Sequence, residues 1–180
     1  KAALQISKEV YLVSPVISRD LQSSNLIYVR IRDLRPMHHF ALAYTSELLG
    51  SLVSRFGIKL LGISHSDISS IKNVDIIHVH WILFKYFAKI MQRVISRSIP
   101  IVIDLHGSWR LQYPSTNSVR DIIAFLLGGR YESYVLTNNK DVNAFTSPSR
   151  SLNNYLILLF NIDPRKMFEV RDAVDPEVIE

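Results

Sequence analysis

The stretch from Val74 to Trp109 constrains the fold more than any other part of the sequence. It contains two apolar runs, VDIIHVHW and IPIVIDLHGSW, separated by a segment long enough to form a helix. Both runs are rich in β-branched residues and show almost no alternation of apolar and polar residues, which is typical of strands in a parallel sheet. Because neighbouring parallel strands need a crossover connection, the pattern predicts a strand, a helix and a second strand beside the first.

Each of these predicted strands ends in a loop that carries histidine. The residues of the two loops are His78, His80, Trp81, His106, Gly107 and Ser108. Ligands of parallel α/β sheets bind beyond the carboxyl ends of the strands. We therefore expect the two histidine loops to meet at one binding cleft.

The rest of the chain alternates between shorter strands and helices. The other predicted strands are Val10–Ile17, Leu26–Ile31, Ile58–Ile63, Val142–Thr146 and Phe168–Val170. The predicted helices are Met37–Phe56 after Pro36, Ile82–Arg97, Val119–Leu127 and Leu152–Phe160. We expect Gly128-Gly129 to stop the third helix, with Tyr131–Leu136 either continuing it or forming a separate turn. The first two strands form either a hairpin or two strands joined by a surface loop. This order predicts an α/β fold, a Rossmann-like open parallel sheet with helices on both faces.

Composition narrows the classes of protein that fit. A chain of 180 residues can fill one domain. The sequence has no cysteine, which excludes a disulfide framework and thiolate metal sites and favours a cytoplasmic location. No apolar stretch reaches the roughly 20 residues that span a bilayer, and the first residues do not resemble a signal peptide. The net charge of +5 suits phosphorylated ligands, an anionic membrane surface or nucleic acid. It is equally that of an ordinary basic soluble protein, because no Lys/Arg run exceeds two residues, and we expect no nucleic-acid partner.

The predicted helix Ile82–Arg97 carries a basic residue at every fourth position. These residues are Lys85, Lys89, Arg93 and Arg97. Such a face is either the solvated side of a surface helix or a peripheral contact with anionic lipid at the inner face of the membrane. The sequence leaves both interpretations open.

Two histidine pairs suggest a site with chemistry. Residues two apart on a strand point to the same face, so His78 with His80 and Asp104 with His106 could present four ligands, as zinc hydrolases require. The alternative is that these side chains are hydrogen-bonded within the sheet. Gly107 would let the backbone approach a ligand, and the His106 imidazole could bond a sugar hydroxyl or stabilise developing charge.

Further polar residues lie near other predicted helix starts. Ser147-Pro148-Ser149-Arg150 opens a helix whose free N–H groups, with Arg150, could hold an anionic group, although Ser149 is equally an ordinary N-cap. The pair His38-His39 could face the same crevice. The glycine-rich motifs of dinucleotide-binding and P-loop proteins and the G-x-S-x-G elbow of α/β-hydrolases are absent from the sequence.

The order of these motifs resembles the amino-terminal domain of retaining glycosyltransferases with the GT-B fold. The closest resemblance is to family four of the sugar-nucleotide-dependent enzymes, which includes glycogen, sucrose and mannosyl transferases. The residues that match its D-x-x-H-x-H strand, its histidine loop, its serine-capped helix and its hinge are Asp75, His78, His80, His106, Gly107, Ser147, Ser149 and Val174-Asp175.

The resemblance implies a two-domain enzyme. Residues 1–170 would form the acceptor-side domain, and residues 171–180 would begin the hinge to a carboxyl-terminal, donor-binding domain that lies outside this chain. The implied partners are a sugar nucleotide, bound as substrate, and a glycan, lipid or small-molecule acceptor; no cofactor and no metal are expected.

The resemblance also assigns roles to particular residues. His106 would be catalytic, and the residues expected to bind acceptor or donor are His80, Trp81, Gly107, Ser108, Ser147 and Arg150. The chain alone is expected to be inactive. Two alternatives remain, a metal-dependent hydrolase built on the His/Asp cluster and a non-catalytic α/β partner module.

Overall fold

A computed structural model describes residues 10–14, 26–30, 36–48, 59, 61–63, 74–95, 98–109, 111 and 118–170. The strands are β1 (Val10–Ser14), β2 (Leu26–Arg30), β3 (Ile77–His80), β4 (Ile101–Asp104), β5 (Ala144–Ser147) and β6 (Met167–Glu169). The helices are α1 (Pro36–Leu48), α2 (Lys85–Ile95), α3 (Val119–Thr137) and α4 (Arg150–Phe160), with short 3₁₀ turns at Ile82–Phe84 and Pro164–Lys166.

Strands β3 to β6 form an open parallel sheet in chain order. Helices α2, α3 and α4 fill the three crossovers between them. The chain therefore has an α/β, Rossmann-like fold with an open parallel sheet, as the sequence predicted. Strands β1 and β2 pair in parallel with each other, which excludes a hairpin between them.

One face of the larger sheet forms the core. Val79, Ile101, Ile103 and Phe145 are buried, and they pack with α1, α2, α3 and α4 into one hydrophobic cluster. The residues that alternate with them along the strands, such as His78, are more exposed. The two faces of the sheet are therefore less evenly covered than the apolar runs of the sequence predicted.

Two sequence predictions about helix and strand limits are wrong. Helix α3 runs without a break through Gly128 and Gly129. The missing side chain at Gly128 leaves room for the Trp109 indole and does not mark the end of the helix. Within the predicted strand Ile58–Ile63, Lys59 and Leu61 are helical and Gly62 has a φ of 70°. The end of the predicted helix after Leu48 and the hinge at residues 171–180 lie outside the described residues.

The basic face of α2 does not point wholly to solvent. Lys85 is 0% exposed, and its Nζ lies 2.9 Å from Asp141 Oδ1 and 3.3 Å from Glu47 Oε1. Lys89 forms ion pairs with the same two carboxylates, at 3.0 Å from Asp141 Oδ2. The interpretation of a solvated or lipid-facing stripe is therefore wrong for Lys85, because α1 and the turn after α3 cover it with acids.

None of the helices in the described ranges has both the length and the apolar character that a bilayer crossing requires.

Candidate functional site

The carboxyl ends of β3 and β4 bring the two histidine loops together. His80 and Asp104 are register partners on these neighbouring parallel strands. His106 follows two residues after Asp104, in the loop that leaves β4. The predicted meeting of the two loops at one edge of the sheet is confirmed.

A single carboxylate lies between the two imidazoles. Asp104 Oδ2 is 3.1 Å from His106 Nε2 and 3.4 Å from His80 Nδ1. Asp104 Oδ1 accepts a hydrogen bond of 2.9 Å from the hydroxyl of Thr146 on β5. Asp104 is only 17% exposed, whereas both histidines are open to solvent. The arrangement is that of a held carboxylate that orients two accessible imidazoles.

The two imidazoles are close and nearly parallel. Their ring centroids are 6.0 Å apart at an interplanar angle of 13°. His78 lies beyond them, with its ring 4.7 Å from that of His80. His78 is exposed as a residue, but partial burial of its ring and then the neighbouring His80 lower its pKa. The charge of Asp104 only partly offsets this. His78 is therefore held toward its neutral form beside the pair.

His80 and His106 line a cleft of about 420 Å³. The residues that line the cleft are His80, Trp81, Phe84, His106 and Gly107. The lining thus combines two imidazoles with two aromatic side chains, and such a combination is characteristic of small-molecule sites. Four of these residues, His80, Trp81, His106 and Gly107, were predicted from the sequence to take part in binding or catalysis.

Trp81 has an unusual backbone conformation for a bulky residue. Its φ is 83°, in the left-handed region that side chains with a Cβ rarely adopt. Its N–H donates to the Asp104 carbonyl at 3.2 Å, and the chain then enters the 3₁₀ turn Ile82–Phe84. The indole stacks on Trp109, with centroids 5.8 Å apart at 22°. Strain of this kind concentrates at functional sites, where the surrounding structure holds it in place.

Glu132, which no sequence motif indicated, holds the loop after β4 through two hydrogen bonds. This buried carboxylate accepts a hydrogen bond from the Ser108 hydroxyl at 2.9 Å and one from the Trp109 N–H at 3.3 Å. The Ser108 side chain is therefore buried and directed into the protein, and it does not line the cleft. The only signal for it in the sequence was a single acid in the run RYESYVL, between Tyr131 and Tyr134.

Ser147 and Arg150 lie at the same edge of the sheet but not in the cleft. The Ser147 hydroxyl is buried at the end of β5, 2.7 Å from Asn153 Oδ1 and 3.1 Å from the Ser149 carbonyl. The predicted N-cap is confirmed, because Ser149 Oγ accepts from the Leu152 N–H at 3.2 Å. Arg150 is exposed on the first turn of α4.

His39 packs against Phe84, one of the residues that line the cleft. It is buried, and its Nδ1 lies 2.9 Å from the hydroxyl of Tyr86. Its ring meets Phe84 edge-on at 5.2 Å. Since Phe84 lines the cleft and His39 does not, His39 positions an aromatic wall of the cleft. His38, by contrast, is exposed on α1.

His80, Asp104 and His106 also have the geometry of a metal-binding group. Ligand atoms of His80, Asp104 and His106 all lie within 4.8 Å of one another. Imidazole and carboxylate ligands suit zinc and other divalent transition metals, and a three-residue set leaves positions open for water or substrate. The cluster can therefore serve either proton and hydrogen-bond chemistry or metal coordination.

The sequence matches no protein-family model, and no curated protein shows significant similarity to it.

Proposed function

We propose that this chain is the acceptor-binding, amino-terminal domain of a glycosyltransferase that moves a sugar from a sugar nucleotide to an acceptor with retention. The observation that carries the proposal is the placement of Asp104 between His80 and His106, two histidines that line an aromatic cleft. The order of sequence motifs adds the resemblance to family-four enzymes. The open parallel sheet is the fold that such a domain requires.

The chemistry of the proposed site follows from the carboxylate. Asp104 favours a proton on the ring nitrogen that faces it, which is Nε2 in His106 and Nδ1 in His80. In the neutral imidazole the other ring nitrogen then accepts hydrogen bonds. His106 Nδ1 would accept from an acceptor hydroxyl and so position it beside the transferred sugar.

The walls of the cleft suit a sugar ring. Trp81 and Phe84 offer aromatic surface to the apolar C–H face of a pyranose, while His80 and His106 address its hydroxyls. Gly107 presents no side chain between the ring and the backbone. Because the indole of Trp81 is held by its strained backbone and by Trp109, little ordering entropy would be lost when a sugar binds.

The donor would be bound elsewhere. In this proposal the sugar nucleotide lies mainly on a carboxyl-terminal domain, and the two domains close over donor and acceptor. The acceptor is a glycan, a lipid or a small molecule, the enzyme is cytoplasmic, and neither a cofactor nor a metal takes part. The 180 residues alone would bind acceptor without transferring sugar.

The metal geometry favours one alternative, a metal-dependent hydrolase. In that case His80, Asp104 and His106 would be the ligands, since their ligand atoms lie within 4.8 Å of one another. A bound zinc ion would lower the pKa of a water molecule to about 7 and supply hydroxide at neutral pH.

The test is a transfer assay on the full-length protein that contains this domain, with a panel of UDP-, GDP- and ADP-sugars and detection of released nucleotide. The His106→Ala variant should lose transfer by about 10²- to 10⁴-fold. The matched control is His38→Ala, which removes an exposed histidine outside the cleft and should keep full activity. Undiminished transfer by His106→Ala would overturn the proposal. Stoichiometric zinc in the purified protein, together with a hydrolytic activity that chelators remove, would instead establish the hydrolase.

A further inference from the structure

The first half of α3 carries an apolar stripe on its outer surface. Its members are the exposed residues Val119, Ile122, Ile123 and Leu126. Val119 is 72% and Leu126 58% exposed. The spacing of three and four residues places all four on one face of the helix.

The opposite side of α3 already packs in the core. Tyr131, Val135 and Leu136 are buried there, so the helix does not need a second apolar face in order to fold. A helix that is apolar all round is normally enclosed on all sides. An exposed apolar patch of this kind marks a contact with another surface.

The polar residues on this face indicate what that surface is. Arg130 continues the stripe one turn after Leu126, and the half-exposed Tyr134 follows one turn later. The acid Asp121 lies roughly half a turn around the helix from Arg130. Along its axis the face therefore passes from aliphatic residues to a cation and then to a tyrosine. An aliphatic stripe bordered by a cation and a tyrosine suits the boundary between acyl chains and anionic head groups, where aromatic and basic side chains are favoured.

We propose that the stripe of α3 docks this protein on an anionic phospholipid membrane. The two amino-terminal turns of the helix would enter the head-group boundary to a depth of about 5–10 Å. Arg130 would lie among the lipid phosphates. This surface is distinct from the basic residues of α2, two of which are engaged by Glu47 and Asp141.

The docking surface is linked to the cleft through two stacked indoles. A groove of about 300 Å³ lies beside the stripe, and its lining residues are Trp109, Phe125, Leu126, Gly129, Arg130 and Ser133. Trp109 stacks on Trp81, which lines the cleft. A docked molecule would thus hold the cleft close to lipid head groups. If the proposed transferase function is correct, an amphiphilic, membrane-held acceptor becomes the favoured substrate class.

The test is co-sedimentation of the chain with vesicles of phosphatidylcholine alone and of phosphatidylcholine mixed with phosphatidylglycerol. Wild-type protein should bind the anionic vesicles more tightly. The double variant Ile123→Ser/Leu126→Ser should bind at least about tenfold more weakly. Arg130→Gln should lose the preference for phosphatidylglycerol. The matched controls are Leu158→Ser, at a leucine 84% exposed on α4, and Arg150→Gln; both should bind like wild type.

Equal binding by the double variant and Leu158→Ser would overturn the inference, as would wild-type protein that ignores anionic vesicles. A dimer in analytical ultracentrifugation that the double variant abolishes, without vesicle binding, would assign the stripe to a second copy instead. Circular dichroism checks that each variant is folded. No sugar nucleotide is present in these experiments, so their failure is separate from failure of the transfer assay.

Discussion

The indole of Trp109 occupies the space that a side chain on Gly128 would need. A Cβ at Gly128 would lie 2.6 Å from Trp109 Cδ2 and 2.7 Å from Cε3. At Gly129, one residue later in the same helix, the nearest atom would be 4.0 Å away. Trp109 in turn stacks on Trp81 at the cleft. The fit between α3 and one indole therefore determines where a wall of the cleft stands.

This difference predicts opposite effects for two adjacent substitutions. Gly128→Ala should destabilise the protein by about 1–3 kcal/mol, because the indole ring must move. Gly129→Ala should stabilise it by up to about 1 kcal/mol, since alanine is the better helix former and has room there. Urea unfolding of both variants measures the two values. Equal effects of the two substitutions would contradict the close packing of Trp109 against Gly128.

Asp104→Asn should disturb the histidines without unfolding the sheet. An amide can present a donor to His106 Nε2, so the proton would no longer be fixed on that nitrogen. Nitrogen-15 NMR of the imidazoles should show the Nε2–H form of His106 in the wild type and a mixture in the variant. Thr146→Val, which removes only the hydrogen bond to Asp104 Oδ1, should shift the balance less. A wild type in which His106 already exists as a mixture would refute the role given to Asp104.

The buried ionic group makes Lys85 essential to stability. Lys85→Met leaves Glu47 and Asp141 with Lys89 as their only cation in this cluster, and we expect a loss of about 3–5 kcal/mol in the free energy of unfolding. The control is Arg165→Met at the exposed pair with Asp163, where no measurable loss is expected. Both values come from denaturant titrations. A Lys85→Met protein as stable as wild type would show that the cluster contributes little.

The same cluster predicts a loss of stability in acid. Burial raises the pKa of Asp141, but the charge of Lys85 and hydrogen bonds from Lys85 and Lys89 outweigh it, so the pKa falls below 3.8. A lowered carboxyl pKa stabilises the fold above its unfolded value, and the stabilisation disappears as the pH falls through the folded value. Asp141→Asn should therefore flatten the decline of stability below about pH 4. An unchanged decline would exclude Asp141 as its source.

His78 should contribute a second pH dependence, in a higher range. Its pKa lies below 6.5 because of partial burial of the ring and the nearby His80 and His106, which together outweigh Asp104. The unfolded chain therefore binds the proton more readily, and stability falls as the pH drops below 6.5. His78→Gln should remove this part of the slope when unfolding is measured across that range. Parallel curves for variant and wild type would contradict the prediction.

The arrangement of the site was largely predictable from sequence because it follows from strand direction. Two β-branched runs with a crossover helix between them must run parallel, and parallel strands bring their carboxyl ends to one edge. The proximity of His80, Asp104 and His106 follows from that rule. The N-cap at Ser149 was predictable for a similar reason, because capping depends on neighbouring residues alone.

The features that the sequence did not predict all depend on contacts between distant segments. The helical period placed Lys85 with the solvated lysines, but Glu47 and Asp141 reach it from other elements. The pair Gly128-Gly129 resembled a helix stop because the approach of Trp109 is a tertiary contact. The positive φ of Trp81 occurs together with a hydrogen bond from its N–H to the Asp104 carbonyl of the neighbouring strand.

The most direct test of the proposed acceptor site is an NMR titration of the labelled chain. A panel of methyl pyranosides, and separately Zn²⁺, would be added while the ring signals of His80 and His106 and the indole N–H of Trp81 are followed. We predict that at least one glycoside shifts all three sets of signals and that Asp104→Asn weakens the response. If every glycoside leaves them unmoved, or Zn²⁺ alone shifts the imidazoles, this cleft does not bind a sugar acceptor.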